Sequence, residues 1–110
     1  MADYDIEATF VQGDRKPSLQ ANLHAWGDGS DIEDLTGATV AFQMRKPDDR
    51  QYTVNAAATV VGDPTEGNVR YDWAVNDLAV IGTYLCQWQI TYGDGKTQTT
   101  RPRYIEVRRQ

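Results

Sequence analysis

The chain has 110 residues, 40% of them hydrophobic and 25% charged, which suits one globular domain, residues 1–110, with one core and no second. Its formal net charge of -5 argues against nonspecific nucleic-acid binding, which needs basic faces, and no apolar run approaches the roughly 20 residues of a membrane span. The acidic N-terminus lacks the pattern of a signal peptide, and a lone cysteine, Cys86, excludes an intrachain disulfide, so synthesis in a reducing cytoplasm is expected.

Asp5 to Gln12 alternates, with Ile6, Ala8 and Phe10 on one side, and reads as a first strand ended by Gly13-Asp14. Ser18 to Ala25 resumes the alternation with Leu19, Ala21, Leu23 and Ala25 inward and Gln20, Asn22 and His24 outward. Trp26 to Gly37 is a polar, acidic loop with Ile32 and Leu35 as anchors. Asp28, Ser30, Asp31, Glu33 and Asp34 are hard oxygen ligands, yet the alternate-position spacing of an EF-hand fails at Ile32, so a plain acidic loop is preferred over a calcium site.

Ala38 to Lys46 predicts a strand with Val40, Phe42 and Met44 inward and Ala41, Gln43 and Arg45 outward. Pro47-Asp48-Asp49-Arg50 signals a turn, Tyr52 to Val54 a short returning strand, and Ala56 to Val61 an apolar segment whose face the pattern leaves open. After the turn at Gly62 to Gly67, Val69, Tyr71, Trp73 and Val75 alternate as a strand, and Asn76-Asp77-Leu78 starts a short link.

Tyr84 to Tyr92 is the clearest strand: Tyr84, Cys86, Trp88, Ile90 and Tyr92 interleave with Leu85, Gln87, Gln89 and Thr91, as expected of a half-buried central strand. Gly93-Asp94-Gly95 supplies a hairpin turn. The last strand, Lys96 to Arg108, has Ile105 and Val107 inward and is interrupted at Pro102, which cannot donate a ladder hydrogen bond and predicts a bulge or an edge.

Seven or eight short strands without a convincing helix predict an all-β fold, an immunoglobulin-like antiparallel β-sandwich. Tyr84-Leu85-Cys86 has the spacing of the tyrosine corner, in which the tyrosine stands two residues before the second cysteine of such domains. If the missing partner position falls on the second strand, Leu23 fills it and Cys86 is a small core hydrophobe.

Chemistry is sparse. His24 is the only histidine, and a Cys86–His24 dyad conflicts with an alternation that buries one and exposes the other. The carboxylate pairs Asp48-Asp49 and Glu33-Asp34 sit in turns, and Gly93-Asp94-Gly95 has no following helix to hold a phosphate. No catalytic residue, cofactor or metal is assigned. The surface offers two hints. Arg101, Arg103, Arg108 and Arg109 put four of the 11 basic residues into the last ten positions, while the first 34 residues hold eight acids. Trp26, Tyr52 and Tyr104 fall on loops or outward positions, where a protein or sugar surface could use them.

Several stretches, taken together, resemble the N-terminal immunoglobulin-like domain of upper baseplate proteins from tailed bacteriophages. They are Phe10-Val11-Gln12-Gly13-Asp14 with Pro17; Asp34-Leu35-Thr36-Gly37-Ala38-Thr39-Val40-Ala41-Phe42-Gln43-Met44-Arg45; Gly67-Asn68-Val69-Arg70-Tyr71; Gly82-Thr83-Tyr84; Tyr92-Gly93-Asp94-Gly95-Lys96; and Tyr104-Ile105-Glu106-Val107. The resemblance implies a non-enzymatic virion structural protein, made in the host cytoplasm and docked in the tail or baseplate beside other phage proteins in a symmetric multi-copy assembly. In the family the domain heads a longer chain leading toward a receptor module, and an end at Gln110 favours an adaptor role. The alternative is a carbohydrate-binding or adhesion module, including capsid decoration, for which Trp26 and Tyr52 must share one exposed face. Arg101, Arg103, Tyr104, Arg108, Arg109 and Trp26 form the candidate interface, with the bulged last strand expected to add a neighbour's strand at an exposed edge.

Overall fold

The computed structural model describes residues 3–6, 9–24 and 32–110. Ten short strands form two sheets among these residues: β1 (Asp3–Ile6), β2 (Thr9–Val11), β3 (Leu19–His24), β4 (Thr39–Arg45), β5 (Val54–Ala57), β6 (Thr59–Val60), β7 (Asn68–Tyr71), β8 (Gly82–Thr91), β9 (Thr97–Thr99) and β10 (Arg103–Arg108). A single 3₁₀ turn, Pro64–Glu66, precedes β7. One sheet has the order β1-β3-β7-β6, and the other β2-β10-β8-β4-β5 with β9 also paired to β8. This is the immunoglobulin arrangement: β1, β3, β7 and β6 take the places of strands A, B, E and D, and β4, β8 and β10 those of C, F and G. The expected β-sandwich is therefore present, with one predicted strand divided between the sheets and another broken within a sheet.

Two divisions matter for the surface. The predicted first strand is not continuous: β1 pairs antiparallel with β3, whereas β2 lies parallel to β10 in the opposite sheet. The predicted last strand breaks where proline lacks its N–H. Gln89 faces Thr99 and Cys86 faces Arg103, so three steps along β8 match four along the partner, which is a one-residue bulge around Pro102. Thr100 stitches the gap, its hydroxyl accepting from the Trp88 amide at 2.9 Å and its own amide donating to the Trp88 carbonyl at 2.9 Å.

The core lies between the sheets, where Phe10, Leu19, Leu23, Val40, Phe42, Met44, Val69, Tyr84, Cys86, Trp88, Ile90, Ile105 and Val107 are all buried. Phe42 sits at its aromatic centre, stacked on Tyr71 at 4.8 Å and meeting Trp73 and Trp88 at 5.8 and 5.0 Å between ring centroids. Such pairs stabilise beyond their area by about 0.5–1.5 kcal/mol each. Leu23 and Cys86 occupy inward positions of opposite sheets, both at 0% exposure.

Several outward assignments do not hold, each for a tertiary reason. His24 is only 8% exposed, because Asp3 pairs with it on one side and Ile32 returns beside it in an isolated bridge. Gln43 is 6% exposed, covered by the side chains of Gln87 and Asn55 on flanking strands. Conversely Ile32, predicted to anchor its loop, is 43% exposed, and Leu35 is the buried one among the loop's described residues. Trp73 is buried but Val75 is 66% exposed, since β7 ends at Tyr71 and the chain turns away. The predicted Tyr52 strand begins only at Val54.

Candidate docking surface

β10 carries most of the predicted interface, and its placement changes how it can act. β8 pairs with it along Arg103 to Val107 and β2 along Glu106 to Arg108, so its C-terminal half is interior to the sheet while Arg103 to Ile105 keep one open side among the described residues. Strand addition by main-chain hydrogen bonding is therefore not available along its C-terminal half. The edge strands β1, β2, β5 and β6 have only four, three, four and two residues, a length that protects edges from pairing. Contact along the C-terminal half of β10 must therefore use side chains.

The register arranges those side chains in rows on the solvent face. Tyr104, 62% exposed, stands opposite Leu85, which in turn stands opposite Arg45. Two residues toward the C-terminus, Glu106 faces Thr83 and Thr9, and Arg108 then faces Val11. Arg108 Nε lies 3.3 Å from Glu106 Oε1 along the strand, an exposed pair of small energetic weight. Val11, 37% exposed, adds an apolar position opposite Arg108. In the other direction Gln87 donates to Gln43 at 2.8 Å and to the Tyr52 hydroxyl at 3.2 Å, a polar row beside the Tyr104 row.

Arg101, Arg103, Tyr104, Arg108 and Arg109 are all exposed and belong to β10 or its immediate flanks. Trp26 lies outside the described residues, as do Asp28, Ser30 and Asp31 of the acidic loop. The remaining loop acids are engaged: Asp34 accepts from the Thr36 amide and hydroxyl, which holds its carboxyl below the usual aspartate range, and Glu33 accepts from the Tyr92 hydroxyl. Sequence reasoning missed Arg45, Leu85 and Val11, because only strand register brings Leu85 and Arg45 beside Tyr104 and Val11 beside Arg108.

Cys86 is fully buried, and burial pushes its thiol well above the ordinary 9.0, so it stays protonated at neutral pH. The hydroxyl of Tyr84 donates to the Val80 carbonyl at 2.7 Å, closing the tyrosine corner that its spacing predicts.

Sheet order, tyrosine corner and a closed aromatic core define an immunoglobulin-like β-sandwich. The sequence profile of the BppU N-terminal domain, a domain of phage baseplate upper proteins, matches residues 3–107, and the chain belongs to that family. It is accordingly a structural protein of the phage baseplate, located in the virion tail and associated with other tail or baseplate proteins. No curated protein matches the chain. Among solved structures, CopC from Methylosinus trichosporium OB3b aligns with a TM-score of 0.55 and 9% identity over 100% of this chain and 96% of that one, a likeness of fold alone. Murine CRIg aligns at 0.45 with 14% identity, over 100% and 98%.

Proposed function

We propose that this domain is a non-enzymatic adaptor that docks, in several copies arranged symmetrically, onto neighbouring baseplate proteins through the solvent face of β10. The observation that carries this reading is the row Tyr104–Leu85–Arg45, continued by Arg108 and Val11, on a strand whose C-terminal half is already flanked on both sides. Tyrosine and arginine are the residue types that dominate binding energy in protein interfaces, and repeated copies convert weak single contacts into a stable assembly.

Truncation of residues 108–110 is a poor test, because the Gln12 amide donates to the Arg108 carbonyl at 2.7 Å and the cut would damage the fold. The sound experiment replaces side chains only, in Tyr104→Ala and in Arg108→Glu with Arg109→Glu. Phage carrying either variant should produce folded protein that is depleted from purified particles, with loss of tail density by electron microscopy. Normal incorporation of both would overturn the reading.

A further inference from the structure

Charge is distributed along the sandwich as well as along the sequence. Strand register puts Arg45, Leu85 and Tyr104 toward one end of the six-stranded sheet and Thr39, Thr91 and Thr97 at the other. The loops beyond that second end are tied into one surface. The Glu33 amide donates to the Leu23 carbonyl, the Leu35 amide to the Pro64 carbonyl at 3.0 Å, and the Tyr92 hydroxyl to Glu33. This surface carries Glu33, Asp34, Asp63, Glu66 and Asp94, with Lys96 the one basic residue among the described ones. Asp34 and Asp63 are near enough to act electrostatically on one another. In its midst Ile32 is 43% exposed, its Cγ2 packed close over Gly67.

The two surfaces are complementary in kind. One has an apolar centre of Tyr104 and Leu85 flanked by Arg45 on one side and by the Arg108–Glu106 pair along the strand, with Arg109 following it; the other has an apolar centre at Ile32 bordered by carboxylates. They lie on different parts of the molecule, so no single copy can join them. We propose that the solvent face of the six-stranded sheet around Tyr104 docks onto the acidic loop end around Ile32 of a second copy of this chain, a head-to-tail contact. Such a heterologous contact repeats, giving a ring if the rotation closes and a filament if it does not.

Size sets the strength. Five strands spaced about 4.8 Å apart, averaging about six residues at about 3.3 Å each, present a face of roughly 400 Å², against about 800 Å² per partner in a standard interface. A single contact is therefore weak and salt-sensitive, and accumulates only where many copies are held together. The inference rests on the multi-copy docking reading and specifies one partner within it.

The test is sedimentation of the purified chain at low and high ionic strength. Wild type should self-associate at about 20 mM salt and become monomeric at about 0.5 M, where the Debye length falls to a few ångströms. Arg108→Glu with Arg109→Glu, and separately Glu66→Lys with Asp94→Lys, should each weaken association at least tenfold while unfolding at unchanged temperature. Mixing the two variants restores it, because the reversed face of one then meets the reversed end of the other. Tyr104→Ala should weaken it at least tenfold as well. A wild type that stays monomeric at low salt, or variants that associate as wild type does, would sink the head-to-tail contact. Particle incorporation, measured separately, then tells whether the docking role falls with it.

Discussion

Tyr84 reaches back four residues to donate its hydroxyl hydrogen to the carbonyl of Val80, and this one bond joins the start of the central strand β8 to the loop that carries the chain across from the other sheet. The ring is 1% exposed beneath it, so packing and hydrogen bond hold the same crossing. Tyr84→Phe keeps the packing and removes the bond. Chemical denaturation should show a loss of about 1 kcal/mol with an unchanged denaturant slope.

Gly67 is the position where only glycine fits. Its φ of 71° lies in the left-handed region, and a Cβ there would stand 2.9 Å from the Glu33 carbonyl oxygen and 3.0 Å from that of Leu23. Gly67→Ala should therefore cost at least about 2 kcal/mol, the left-handed penalty plus displaced backbone. Because those carbonyls belong to the acidic loop end, hydrogen exchange should rise first at Leu23, Glu33 and Leu35.

Burial makes Cys86 a reporter of global opening. With 0% exposure and a thiol held protonated, it should resist a thiol reagent at neutral pH for as long as the domain stays folded and react fully in denaturant. Rapid labelling of the native protein would contradict the packed core.

Alkaline pH should unfold the domain cooperatively. Burial, together with the Asp77 carboxylate beside Tyr71 and the Glu33 carboxylate beside Tyr92, raises both phenols well above the ordinary 10.0, and burial alone raises Tyr84. The folded state favours the neutral phenol, whereas the unfolded chain releases its protons near pH 10. Stability from these groups is therefore complete below pH 10 and is lost as pH rises through the raised values. Circular dichroism melts from pH 8 to 11 should show a falling Tm above pH 10, and a smaller fall in Tyr92→Phe, which has no phenol to ionise there.

Period-2 patterning determined a good deal by itself. The alternation of Val40, Phe42 and Met44, and of Tyr84, Cys86, Trp88 and Ile90, dictates which side chains enter the core, since a strand sends alternate residues to opposite faces and apolar ones leave water. The break at Pro102 and the tyrosine corner were also legible, because each depends on local chemistry: a missing N–H and a two-residue spacing.

What alternation cannot encode is which strands become neighbours. One chain segment, read as a single first strand, divides between two sheets, and its second half closes the far side of β10. That pairing makes the C-terminal half of the predicted edge interior. Likewise His24 and Gln43 obey the outward phase of their strands and are buried nonetheless, one by the returning backbone at Ile32 and the other by amides from flanking strands. Arg108 and Tyr104 were visible as exposed residues, but only pairing set Arg45, Leu85 and Val11 beside them. Local pattern settles the face of a side chain within its own strand; hydrogen bonding between distant segments decides what lies next to that face, and so whether it is covered or left for a partner.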